Sequence, residues 1–124
     1  MIYDYVIVSS RKFREEANKI GQQIMEKGFK VKLISEPAPR IETDGADVLR
    51  KFKTKYQRQH FEAIRCCKWG IVLCNFNGYI GLNTKAEMIF AHAYDIPIFS
   101  IEDVNSNEEE LEIMKIQRLN LTKL

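Results

Sequence analysis

Short apolar runs alternate along this chain with stretches whose apolar residues recur every three or four positions. Tyr5-Val6-Ile7-Val8 is bounded by Ser9-Ser10 and reads as a buried strand. From Lys12 to Lys27, apolar residues stand at Phe13, Ala17, Ile20 and Ile24, spaced 4, 3 and 4, which is one face of a helix. Gly28 sits where a helix-ending glycine belongs. Phe29 to Ile34 alternates and then turns apolar, giving a second strand, so the chain opens β-α-β.

Ser35 to Asp47 holds Pro37, Pro39 and Gly45 and has no period. A helix is expected from Ala46 or Val48 to Cys67, basic in front and with Phe61, Ile64 and Cys67 packing toward a core behind. Trp69 to Cys74 is apolar nearly throughout, as a strand buried on both faces should be. Thr84 to Tyr94 predicts the next helix and Ile96 to Ile101 the fourth strand. Ser106 could cap a last acidic helix through Glu108-Glu109-Glu110 to Met114, and Ile116 to Leu124 alternates loosely enough for a fifth strand. Strands alternating with helices imply a single α/β domain over 1–124, with a parallel sheet of four to five strands between two helical layers.

Composition narrows the function classes. A formal net charge of +2 on 124 residues is too small to argue for nucleic acid as a partner. No apolar run reaches the length of about 20 residues that a membrane helix needs, and Met1 to Tyr5 lacks the basic start of a signal peptide. Neither a membrane nor an export route is expected. Three cysteines, Cys66, Cys67 and Cys74, are an odd count without a C-x-x-C pair, which fits reduced thiols and a cytoplasmic location. The simplest place for Cys66 and Cys67 is the core side of their helix. His60 and His92 are far apart and lack paired ligand spacing, so no metal site and no cofactor is expected. Each histidine reads most simply as a partly buried, hydrogen-bonded helix residue. Neither G-x-G-x-x-G nor G-x-x-x-x-G-K-[ST] occurs.

The chemistry-bearing stretch is Asn75 to Ile98: a glycine-containing loop after an apolar strand, opening into a helix with Glu87 near its start. In an open α/β sheet such loops, at the carboxyl ends of strands, form the ligand crevice. Thr84-Lys85-Ala86-Glu87 also fits a capping box, in which Glu87 would reach back to the Thr84 N–H. Both readings of Glu87 stand on spacing alone. Gly78 and Gly81 could line a ligand or only permit positive φ. Arg11 and Lys12 could face a 5′-phosphate or simply start a helix. The run Arg50 to Arg58, with Phe52 and Tyr56 interleaved, could be a solvated face, a lid over a phosphorylated ligand or a nucleic-acid contact.

The residues Asn77-Gly78-Tyr79-Ile80-Gly81-x-Asn83-Thr84, then Glu87, Ala91, Ala93-Tyr94 and Ile96-Pro97-Ile98, resemble the nucleoside 2-deoxyribosyltransferase-like superfamily. The similarity is greatest to its small uncharacterised members with a Gly-Tyr-Ile-Gly loop. Ser9-Ser10-x-x-Phe13 resembles that family's first nucleotide-contacting loop, and His60-x-x-x-Ile64 the helix before its third strand. The resemblance covers about two-thirds of the chain and is weakest from Ser35 to Tyr56. It implies a flavodoxin-like, Rossmann-like three-layer domain that cleaves or exchanges the N-glycosidic bond of a (deoxy)nucleoside or its monophosphate. Glu87 would be the nucleophile, with Ser9, Ser10, Phe13, Asn75, Asn77, Gly78, Tyr79, Gly81 and Asn83 around the substrate. A carboxylate suits an oxocarbenium-like transition state and a covalent sugar ester. The resemblance also implies a homodimer or higher homo-oligomer. The family's two aspartates have Asn75, Asn77, Gly81 or Asn83 at the matching places, and asparagine cannot act as a general acid. Loss of that acid keeps a non-catalytic nucleotide-binding or sensing module as the alternative.

Overall fold

The chain is seen in a computed structural model that describes residues 1–35, 41–104 and 109–124. Five strands form one all-parallel sheet: β1 (Tyr5–Val8), β2 (Val31–Lys32), β3 (Gly70–Leu73), β4 (Ile98–Ser100) and β5 (Ile116–Arg118). Their spatial order is β2-β1-β3-β4-β5, the flavodoxin-like doubly wound order. The helices are α1 (Arg14–Met25), α2 (Ile41–Asp44), α3 (Ala46–Cys66), α4 (Leu82–Ala93) and α5 (Glu109–Glu112).

Period-two alternation splits the strands between two cores. Tyr5, Ile7, Val72 and Cys74 face one side, where Ala17 and Ile24 of α1 cover them together with Leu119, Leu121 and Leu124 of the C-terminal tail. Val6, Val8, Ile71 and Leu73 face the other, under Ile64 of α3, Met88 and Ala91 of α4, and Leu111 of α5. Two apolar sheet faces require cover on both sides, and three layers result.

Most elements lie where the periodicity puts them, with shifts at their ends. Gly28 adopts φ +99 and donates its N–H to the Met25 carbonyl, closing α1. β2 keeps only two residues, because the Asn18 side chain takes both the N–H and the carbonyl of Ile34 at 2.8 and 3.0 Å. At Gly70 (φ +148) an added Cβ would lie 2.5 Å from the Pro97 carbonyl oxygen, so only glycine lets β3 enter beside β4. The aperiodic stretch after Ser35 contains the one-turn α2. The expected cap Ser106, with Glu108, lies outside the described residues, as do Pro37 and Pro39. Cys66 is exposed rather than on the core side; Cys67 is half-buried and Cys74 buried. Burial pushes the thiols of Cys67 and Cys74 up to about 11 and about 12, which makes both poor nucleophiles.

Candidate functional site

A cleft of about 530 Å³ opens where β1 and β3 end, at the point where the strand order reverses. Ligands of doubly wound sheets bind at this switch point. Ser9, Ser10 and Arg11 follow β1; Tyr79 and Gly81 follow β3; Asn83, Thr84 and Glu87 come from α4; Phe52, Lys53 and Tyr56 come from α3.

Glu87 forms the floor. α4 begins at Leu82 with Gly81 as its extended N-cap, and no side chain caps it. Thr84 is therefore the third helical residue and Glu87 the sixth, beyond the reach of a capping box. Both are buried, at 3% and 5% exposure. Among the described residues, the Glu87 carboxyl makes no hydrogen bond. Burial pushes it up to about 8, against the pull of the Arg11 guanidinium.

His60 of α3 lies behind Glu87, its Nε2 3.7 Å from Oε2. That separation is within ion-pair range, but both groups have lost their water. The Nε2–H is also committed to the Ile7 carbonyl at 3.0 Å. The Val8 carbonyl accepts from the N–H of Cys74, just past β3, so alternation turns the Ile7 carbonyl to the opposite side, where β2 has already stopped. His60 satisfies the acceptor that the short strand leaves. Burial, helped by Lys32 and Arg11, pushes its imidazole down to about 4, and Nδ1 has no partner among the described residues. At neutral pH the pair is a neutral imidazole beside a mostly protonated acid.

One stripe of α3 leads from this floor outward. Tyr56 stacks on His60 at 5.1 Å, and Phe52 on Tyr56 at 6.1 Å. The Arg11 guanidinium lies 4.4 Å from the Tyr56 ring and 5.0 Å from the Phe52 ring. It also donates to the Ser35 hydroxyl at 2.9 Å. Burial, then the neighbouring Glu87, push the Tyr56 phenol up to about 12. The i, i+4 spacing of Phe52, Tyr56 and His60 is visible in the chain, but their meeting with Glu87 is tertiary and carries no local signal.

The expected site residues divide. Glu87, Ser9, Ser10, Tyr79, Gly81 and Asn83 share the cleft. Ser9 spends its hydroxyl on the Cys74 carbonyl at 2.8 Å, tying the ends of β1 and β3 together. Asn75, Phe13, Asn77 and Gly78 stand behind the wall. Asn75 is fully buried, and its amide bonds both the N–H and the carbonyl of Glu102. Asn77 (φ 58) donates its N–H to the Glu102 carboxylate at 2.6 Å, and Gly78 follows at φ +76. Phe13 packs on Phe76 and on Tyr79, and the Lys12 ammonium lies 3.4 Å from the Tyr79 ring centre. These four hold the loop that carries Tyr79.

Among the described residues no group of His, Cys, Asp or Glu side chains is placed to hold a metal ion, and no helix is long and apolar enough to cross a membrane. No family model, no curated protein and no solved structure matches this chain.

Proposed function

We propose that the protein cleaves or transfers the N-glycosidic bond of a (deoxy)nucleoside or nucleoside monophosphate, with Glu87 as nucleophile. One observation carries the reading: a buried carboxyl without a hydrogen bond among the described residues, at the floor of a cleft of about 530 Å³ at the switch point. That volume lies within the range of small-ligand sites, roughly 300–1,000 Å³. The resemblance of Asn77 to Glu87 to the deoxyribosyltransferase-like superfamily supports the same assignment, and in that family members self-associate.

The ionised Glu87 attacks the anomeric carbon of the sugar. The C–N bond breaks, its electron pair leaves with the base, and the base takes a proton from water. Water or a second base then attacks the sugar ester and frees the carboxylate. Only the ionised fraction attacks, so the rate rises with pH toward the Glu87 value of about 8. Tyr56, a hydroxyl donor throughout that range, adjoins the carboxyl.

A non-catalytic nucleotide-binding module is favoured by one specific feature. The Asn75 amide, at a place where the family carries an aspartate, is occupied by the Glu102 backbone. The two readings separate in one experiment. Purified protein is incubated with deoxynucleosides and their 5′-monophosphates, with and without a second free base, and products are separated by chromatography. Base release or exchange that disappears in Glu87→Gln supports the enzyme. Ligand binding that persists in Glu87→Gln, without turnover in either protein, supports the module.

A further inference from the structure

The cleft's charge points to the kind of ligand. Its cationic lining residues come from two elements: Arg11 after β1, and Arg50 and Lys53 on successive turns of α3. Among the described residues its acidic lining residue is Glu87, which burial keeps mostly neutral near pH 7. The Ser10 side chain, half-buried between them, caps no helix and makes no hydrogen bond among the described residues. Arg11 is held in place, its guanidinium against the stacked Phe52 and Tyr56 rings and bonded to Ser35. Arg50 pairs at 2.9 Å with Asp47, which is exposed and outside the cleft lining, so its charge is offset only in part. A neutral nucleoside gives this rim nothing to neutralise. A phosphomonoester dianion does, and guanidinium and ammonium groups are its usual partners. The buried, unbonded Glu87 carboxyl is the independent sign that something polar enters here.

We infer that the cleft takes a phosphomonoester, its phosphate held at the mouth by Arg11 and Ser10 on one side and by Lys53 and Arg50 of α3 on the other. The inference rests on the nucleoside reading only for the rest of the ligand. α3 thus serves as a wall of the site, and its outer half sets substrate class. Because Arg50 and Lys53 are exposed, replacing them leaves the core packing intact.

The test is titration calorimetry at low and moderate salt with each deoxynucleoside, its 5′-monophosphate, ribose 5-phosphate and inorganic phosphate. The wild type is compared with Arg50→Gln/Lys53→Gln and with Arg11→Lys. The expected result is a 5′-monophosphate bound at least tenfold more tightly than its nucleoside. That preference shrinks with salt and falls several-fold in the double variant, while nucleoside affinity is unchanged. Equal affinity for nucleoside and monophosphate, or a preference that survives the double variant, overturns the phosphate site and leaves the nucleoside reading standing. Ribose 5-phosphate or inorganic phosphate bound through the same residues, with no nucleoside or nucleotide bound, upholds the phosphate site and sinks the nucleoside reading. Binding of none of these ligands overturns both.

Discussion

Helix α3 contributes to both the floor and the mouth of the cleft, and the two ends obey opposite rules. At the floor, α3 contributes His60, 1% exposed, beside a Glu87 that is 5% exposed. Both are titratable, and burial has driven both toward their neutral forms. Two turns outward, the same helix presents Lys53, and one turn further Arg50, in solvent. Charge at the floor is expensive and therefore available for chemistry; charge at the mouth is cheap, screened, and suited to attracting a ligand. Substitutions at the floor should move turnover and stability together. Substitutions at the mouth should move affinity alone.

The largest expected effect is on turnover. Glu87→Gln keeps shape and neutrality but removes the proposed nucleophile, so base release should fall by about a thousandfold or more while ligand affinity stays within a few-fold. Product chromatography beside calorimetry checks it. Loss of affinity and turnover in equal measure would make Glu87 a binding group. Next comes His60→Ala, which leaves a cavity and strips the Ile7 carbonyl of its donor. A destabilisation of about 2–4 kcal/mol is expected in urea unfolding, against under about 1 kcal/mol for Lys53→Ala at the mouth.

The pH dependence of stability tests the same contrast. Glu87 is raised from 4.5 to about 8 on folding, so its contribution is complete below 4.5 and is lost as pH rises toward 8. His60 is lowered from 6.5 to about 4, so its contribution is complete above 6.5 and is lost as pH falls toward 4. Between 4.5 and 6.5 the two slopes cancel. From 6.5 to 8 only Glu87 remains, at up to about 1.4 kcal/mol per pH unit, or roughly 2 kcal/mol in all. Urea midpoints should form a plateau near pH 5–6 that falls on both sides, and Glu87→Gln should abolish the alkaline fall. An alkaline fall that persists unchanged in that variant would assign it to another group and remove the evidence for a neutral Glu87.

The layers, the parallel sheet and the two cores were legible because burial on both faces leaves continuous apolar runs such as Ile71-Val72-Leu73. The ends of elements were not. Thr84-x-x-Glu87 imitates a capping box, but Gly81 starts the helix from extended backbone and carries Thr84 into the buried face. β2 is cut short by Asn18, a side chain from another element. The loop after β3 attracted notice by its glycines and asparagines, yet Asn75 and Asn77 work as fasteners to Glu102, a partner 25 or more residues away. The cleft wall formed by Phe52 and Tyr56 sat in a run that local pattern assigns to solvent. Which side of a 21-residue helix meets a cleft depends on what packs under it, here Ile64 on the sheet and Arg11 against the Phe52 and Tyr56 rings.

The smallest effect, and the one that bears most directly on the mouth, is at Tyr79. Its ring is 44% exposed, rests against Phe13 and Lys12, and lines the cleft opposite α3. Tyr79→Ala removes a flat apolar surface without opening a core cavity, so stability should change by less than about 0.5 kcal/mol. If a ligand's ring or sugar rests on that surface, KM should rise about three- to tenfold with kcat nearly unchanged, the sign of an interaction equal in ground and transition states. Tyr79→Phe should restore it, since the ring and not the hydroxyl supplies that surface. A fall in kcat at constant KM would instead assign Tyr79 to the chemistry of the floor, and the division between the two ends of the cleft would fail there.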